Sequence, residues 1–337
     1  MRFAQGALER RNVRVGVAQA ASVAFDQAET LAKLREIVAD AAKDKVEFML
    51  FPEAFVPGYP RGFAFAAPVG YRSEDARDAF AAYHQAAVDV PGPAVDFIAK
   101  VAREFSMFLA VGVVEREFGT LYCTVLFFGA DGGYLGKHRK VMPTAVERLF
   151  WGYGDGSTLP VFQTKFGNVG AVICWENYMP LIRAAMYGQG IELYLAPTAD
   201  MRDSWLPSMQ HIAVEGRCFV LSCNQFSRRR DFPEVYPNSL GEDPEVVISR
   251  GGSCIIDPLG KILAGPNYTD EVTLIADIDL NDVARSKFDF DPVGHYARPD
   301  IFQLHVDSRA KRPVRFGGGM AAGPDPAQRT FAEGDNT

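Results

Sequence analysis

Five cysteines occur in the chain, at Cys123, Cys174, Cys218, Cys223 and Cys254, and one of them is placed for chemistry. Cys174 follows the apolar run 169–173 (VGAVI) and precedes Trp175-Glu176-Asn177-Tyr178-Met179-Pro180, which reads as the opening of a helix. A thiol at the C-terminal end of a strand sits where α/β proteins build their sites. Nearby cations or a base could activate it as a nucleophile. The same position also suits a small buried hydrophobe, because free cysteine is among the most buried residue types. Position alone leaves both readings open. The other four cysteines fall inside strand-like apolar runs and read as core. Cys218 and Cys223 lack the second Cys or His pair of a zinc site and form no C-x-x-C, which argues against metal binding and thiol redox chemistry.

Three charged residues could serve such a thiol. Glu53 ends the apolar run in Phe51-Pro52-Glu53, and a partly desolvated carboxylate there would have the raised pKa that a general base needs. Taken by itself, the segment fits an exposed loop acid better. Lys140 closes Lys137-His138-Arg139-Lys140. A basic run of this kind is usually a solvated edge, but Val141-Met142-Pro143 follows directly and could turn the last lysine inward. An ammonium there could stabilise a developing anion and favour a neighbouring thiolate. Glu147, in Pro143-Thr144-Ala145-Val146-Glu147-Arg148, reads alone as a surface acid paired with an arginine. His84, His138, His211, His295 and His305 form no H-x-x-x-H or H-E-x-x-H pattern, so a metal hydrolase is disfavoured. No G-x-S-x-G elbow and no phosphate-binding loop occurs, and Gly152–Gly156 reads as a turn.

The elements that must position these groups alternate between strand and helix. Residues 13–20 (VRVGVAQA) and 46–51 (VEFMLF) read as buried strands. Residues 26–44 read as a helix, with Asp26 and Glu29 as a capping box and Leu31, Leu34, Val38 and Ala41 on one face. Helices are expected at 74–88 and 94–105, the second entered through Pro91-Gly92-Pro93, and a further apolar strand at 107–114. Hairpins are expected at 121–129 with 133–139, and at 253–257 with 261–264. Between them, strands at 169–173, 191–196 and 218–223 alternate with helices at 180–188 and 204–217. This predicts a mixed-sheet α/β fold with helices on the outside.

Composition narrows the function. The 337 residues are 48% hydrophobic and 23% charged, which excludes a disordered chain. A net charge of −7 argues against a nucleic-acid partner. No apolar run reaches the roughly 18 residues that a membrane helix needs. The polar, basic start from Met1 to Asn12 has no apolar core of a secretory signal, and the odd number of cysteines fits reduced thiols, so a cytoplasmic location is expected. No internal linker or repeat is present. One domain is expected over residues 1–311, with a Gly-, Ala- and Pro-rich mobile tail over 312–337.

The segments FPEAFVPGYP (51–60), LGKHRKVMPTAVERLFWGYGDGS (135–157) and VGAVICWENYMPLIRAAMYGQG (169–190) closely resemble the nitrilase branch of the carbon–nitrogen hydrolase superfamily. So do APTAD (196–200), HIAVEGRCFVLSCNQF (211–226), GGSCIIDPLGKILAGPNY (251–268) and FDFDPVGHYARPD (288–300). The resemblance implies a four-layer αββα sandwich of two mixed β-sheets with helices on the outer faces, and a Glu-Lys-Cys triad. Glu53 then takes the general-base role, Lys140 stabilises the tetrahedral intermediate, and Cys174 is the nucleophile. Glu147 corresponds to the family's second glutamate, which orients the lysine or assists a later proton transfer.

Cys174-Trp175-Glu176 is the nitrilase-type signature, which implies conversion of a small-molecule nitrile to a carboxylic acid and ammonia without metal or organic cofactor. An amidase, a nitrile or cyanide hydratase, and a non-catalytic scaffold are the alternatives. Tyr59, Thr144, Trp151, Trp175 and Tyr178 lie in or beside the matched motifs and are expected to wall the substrate pocket, although core packing explains the aromatic ones equally well. The family also implies self-association into dimers, and into spirals or filaments.

Overall fold

The computed structural model describes residues 11–63, 65, 70, 73–312 and 314. Nearly all of the expected tail over 312–337, and most of the start from Met1 to Asn12, lie outside these residues.

Local rules explain most elements. The first helix is Gln27–Lys43, where Asp26 accepts the Glu29 amide at 3.0 Å and Leu31, Leu34, Val38 and Ala41 are buried. Pro93 opens the helix Pro93–Glu104, and Pro180 opens Pro180–Gly188, each placing a residue without an N–H where none is needed. The helices Glu74–Ala86 and Trp205–Gly216 also lie where expected, within one or two residues.

Two mixed sheets carry the chain. The first runs in the order Val272–Asp279, Asn12–Gln19, Phe48–Leu50, Phe108–Glu117, Thr120–Phe128, Tyr134–Arg139, with the short strand Val88–Asp89 also paired to Phe108–Glu117. Its three central strands are parallel and its flanks antiparallel. The second runs Ile262–Ala264, Cys254–Ile256, Phe219–Cys223, Leu193–Pro197, Gly167–Ala171, Phe162–Thr164, again parallel at the centre.

The period of two along each strand sorts side chains into layers. Val13, Val15, Val17, Phe48 and Leu50 of the first sheet meet Val169, Ala171, Leu193, Leu195 and Phe219 of the second in one core. The alternate residues Met49, Leu109 and Val111 pack under Gln27–Lys43 and Pro93–Glu104. Tyr194, Ala196 and Val220 pack under Pro180–Gly188 and Trp205–Gly216. The result is the four-layer helix–sheet–sheet–helix sandwich. Each fully buried Val, Leu or Phe of these layers contributes roughly 1.5–3 kcal/mol of transfer free energy.

Several features depart from expectation, among them the short strands Val88–Asp89, Phe162–Thr164, Phe226–Arg228 and Val247–Arg250, none of them expected. The strand expected at 46–51 is trimmed to Phe48–Leu50; at its C-terminal end Pro52 has no N–H to continue the ladder. The strand Val272–Asp279 was not expected. It pairs antiparallel along the whole of Asn12–Gln19, with Val15 opposite Ala276.

Candidate active site

Each candidate group sits on a break in regular structure. The first follows Phe48–Leu50. Phe51 N–H still bonds Ala110 O at 2.9 Å, and ladder-like bonding resumes where Val56 N–H meets Gly112 O at 3.2 Å. Between them the chain bulges, carrying Glu53 inward, and Ala54 takes a positive φ of 48°. Gly112 permits this: a Cβ there would lie 2.0 Å from the Pro52 carbonyl oxygen. Lys140 directly follows the strand Tyr134–Arg139. Its N–H bonds Cys123 O and its carbonyl accepts Gly154 N–H, both at 2.8 Å. Cys174 starts a tight 3-10 turn, Cys174–Tyr178, after the strand Gly167–Ala171. Its φ of 51° is left-handed, a conformation costing a non-glycine residue roughly 1–3 kcal/mol.

These breaks bring distant residues together between the sheets. Lys140 Nζ donates to Glu53 Oε1 at 2.6 Å and to Glu147 Oε2 at 2.7 Å. All three side chains are buried, Lys140 completely. Glu147 is fixed further by the Tyr59 hydroxyl at 2.7 Å and the Thr144 amide at 2.6 Å. The Cys174 thiol is buried beside this cluster and receives a bond from Thr198 Oγ1 at 3.3 Å. Glu53 Oε2 has no hydrogen-bond partner.

Burial pushes the Glu53 carboxyl up. Lys140 opposes this, and the negative charge of Glu147 adds to it, so the pKa stays above the ordinary range. The nearby Cys174 thiol also works to lower it. Burial lowers Lys140, but Glu53 and its other anionic neighbours outweigh the loss and hold it cationic. Burial and the charge of Glu53 push the Cys174 thiol up, and Lys140 only partly offsets them. Lys140 thus acts in the expected direction, toward the thiolate, but burial and Glu53 outweigh it and favour the thiol.

The five expected pocket residues divide. Tyr59, Thr144 and Trp151 surround the cluster. The Tyr59 ring meets Trp151 edge-on at 5.7 Å, Lys140 Nζ lies 5.7 Å from the Trp151 ring, and the buried Thr144 hydroxyl is unpartnered. Trp175 and Tyr178 lie nearer the surface. They are 41% and 39% exposed and pack edge-on against each other, and Trp175 donates its indole N–H to Asp200 at 2.9 Å.

The structure also adds residues. Cys123, read as core, is buried but lies with Sγ 3.5 Å from Glu53 Oε1. Gln225 Nε2 donates to the Glu53 carbonyl at 3.4 Å. Thr198 and Gln225 lie within the matched segments APTAD and HIAVEGRCFVLSCNQF, which was the available signal. For Cys123 the sequence holds none, since strand pairing alone brings it to Glu53.

Residues 14–288 match the family model described as carbon-nitrogen hydrolase. The chain is 56% identical over 301 residues to a nitrilase from Bradyrhizobium diazoefficiens, covering 89% of this chain and 94% of that one. The chain belongs to the nitrilase branch of the carbon–nitrogen hydrolase superfamily. Another relative of this branch is a tobacco protein named bifunctional nitrilase/nitrile hydratase, 53% identical over 308 residues, covering 90% of this chain and 88% of that one. The superfamily fold extends to distant members. The crystal structure of a carbon-nitrogen hydrolase from Helicobacter pylori superposes with a TM-score of 0.68 at 19% identity, covering 87% of this chain and 97% of that one.

Proposed function

We propose that the chain is a nitrilase that converts a small-molecule nitrile and two waters into a carboxylic acid and ammonia, with Cys174 as nucleophile. The observation that carries this reading is a buried lysine clamped between two carboxylates, one of which keeps a free oxygen beside a buried thiol. Burying these charges costs stability, and strongly perturbed titratable groups of this kind cluster at functional sites.

The charge states supply the order of events. The Cys174 proton must leave as sulfur attacks, and the raised carboxylate of Glu53 is matched to take it. Sulfur bonds to the nitrile carbon, one π bond of the C≡N group opens, and nitrogen takes the proton, giving a thioimidate. A water then adds to the same carbon, losing a proton to Glu53. The tetrahedral intermediate forms next to the Lys140 ammonium, which stabilises its negative charge without reorganisation because Glu53 and Glu147 already fix it. Nitrogen takes that proton back from Glu53 and the proton of the new hydroxyl, the C–N bond breaks as the C=O bond forms, and ammonia leaves a thioester on Cys174. A second water, activated in the same way, cleaves the thioester and returns the proton to sulfur. Glu147 holds Lys140 in place throughout. Tyr59, Thr144 and Trp151 wall the reacting end, and Trp175 and Tyr178 belong to the outer approach.

The same intermediate can lose the thiol instead of ammonia, which releases the amide. The name of the tobacco relative favours including that branch. The test is Cys174→Ala assayed on a nitrile panel for both ammonia and amide. Loss of both products by at least about a thousandfold in a folded protein is expected. Unchanged turnover would overturn the reading and favour a scaffold, and faster hydrolysis of the matched amide than of the nitrile would favour an amidase.

Further proposals concern setting. We read residues 1–311 as one domain. Five free, buried cysteines suit a reducing cytoplasm. Among the described residues no helix is long and apolar enough to cross a membrane. Exposed apolar groups on one turn and the helix after it, including Tyr178, Met179 and Leu181, support self-association into dimers and longer spirals or filaments.

A further inference from the structure

A second buried ion pair lies beside the first, and the reaction outlined above does not use it. His138 and Glu176 have fully buried side chains. His138 stands on the strand Tyr134–Arg139, two residues before Lys140, and Glu176 stands two residues after Cys174 in its turn. His138 Nδ1 is 2.6 Å from Thr158 O. A carbonyl can only accept, so Nδ1 carries a hydrogen. His138 Nε2 is 2.8 Å from Glu176 Oε2, so one proton lies between ring and carboxylate.

The carboxylate does more than pair with the ring. Glu176 Oε2 accepts the Ile173 N–H at 2.8 Å, and Oε1 accepts the Val141 N–H at 2.5 Å. Ile173 directly precedes Cys174, and Val141 directly follows Lys140. A single side chain therefore ties together the backbone on either side of the sheet-to-sheet gap that the two reacting groups share. The tie is the more telling because Cys174 sits in a left-handed conformation that surrounding bonds must hold.

We propose that His138 and Glu176 form a positioning pair that sets the separation of Lys140 and Cys174, with His138 acting through Glu176. This deepens the nitrilase reading and rests on Cys174 being its nucleophile. The imidazole is fully buried, and both of its nitrogens are already engaged, by Thr158 O and by Glu176. Its task is to hold the carboxylate where both amides reach it.

The experiment compares His138→Ala, His138→Gln and Glu176→Asp in the full-length protein. Turnover is expressed per mole of Cys174 alkylated by iodoacetamide, located by mass spectrometry, so that misfolded molecules do not count. His138→Ala is expected to lower kcat per competent site by about tenfold to a hundredfold, with KM within about twofold. His138→Gln, whose side-chain amide can still donate to Glu176, is expected to recover most of the loss. Glu176→Asp keeps the charge but is one methylene too short to reach both amides, and should be as impaired as His138→Ala. If His138→Ala does not fold, the contrast between His138→Gln and Glu176→Asp carries the same test. Wild-type kcat per competent site in Glu176→Asp, or equal impairment in His138→Gln and Glu176→Asp, would overturn the proposal. Neither result touches the assignment of the nucleophile, which Cys174→Ala tests separately.

Discussion

The strand Tyr134–Arg139 and the residue after it carry two clusters of the same chemistry on opposite faces. Lys137 and Arg139 point one way and meet Glu115, while His138 and Lys140 point the other way and meet Glu176, Glu53 and Glu147. Both clusters bury a carboxylate against cations, yet the two carboxylates differ in saturation. Glu115 accepts from Arg139 through both oxygens, at 2.8 and 2.6 Å, from Lys137 at 2.5 Å and from Thr124 at 3.0 Å. Burial pushes its carboxyl up, but the hydrogen bonds and charges of Arg139 and Lys137 outweigh that and hold it below the usual glutamate range. Glu53 has one lysine, a thiol and a free oxygen, and stays above that range. A fully bonded carboxylate is a structural anchor; an under-bonded one of equal burial can take and return a proton.

Replacing the cation on each face should break this comparison most visibly. Lys140→Gln keeps the length and a donor but removes the charge, and is expected to lower kcat/KM for nitrile hydrolysis by about a hundredfold to a thousandfold. Lys137→Ala leaves Arg139 on Glu115 and should change turnover by less than about threefold. Comparable losses in both variants, measured as ammonia release, would show that position on the strand does not divide structure from chemistry.

The converse is expected for the acid of the outer cluster. Glu115→Gln leaves two cations facing a neutral group and should cost about 3 kcal/mol in urea unfolding, with kcat per competent site preserved. The sign of its pH dependence follows from the lowered carboxyl. The folded state binds this proton less readily than the unfolded state, so the stabilisation is complete above the unfolded value near 4.5 and is lost as pH falls through the lower folded value. The penalty of the variant should accordingly shrink on acidification. For Glu53 the direction is opposite, and the acid limb of kcat/KM should lie above 4.5.

How much of this was visible in the sequence depends on the range of the interaction. The Asp26 cap, the Pro93 and Pro180 helix starts and the apolar runs of the central strands are local, and they were legible. The position of Cys174 at a strand end was legible too, but not its role, because core cysteines occupy the same kind of position. The meeting of Glu53 with Lys140 spans 87 residues and came only from likeness to a family. The strand Val272–Asp279 escaped because it is an edge strand of half-buried residues, whose pattern is blurred where one face is only partly covered. Glu115 was invisible for the opposite reason: nothing local distinguishes an acid that will be saturated across the sheet from one left exposed.

The smallest effect gives the finest test of the saturation argument. Cys123 Sγ–H is the second donor to Glu53 Oε1, at 3.5 Å, and the Cys123 carbonyl holds the Lys140 amide. Burial pushes the Cys123 thiol up, as does the negative charge of Glu53, so it remains a donor rather than a competing nucleophile. A thiol donates weakly, and Cys123→Ala should raise the acid limb of kcat/KM by only about 0.3 pH units, with the plateau within about twofold of the original. Cys123→Ser offers a stronger donor at the same place and should move the limb the other way, because each bond to the charged carboxylate makes it more like Glu115. If both variants left the limb in place, the number of donors would not be what separates the two acids, and the difference would have to lie in the charge of the cations alone.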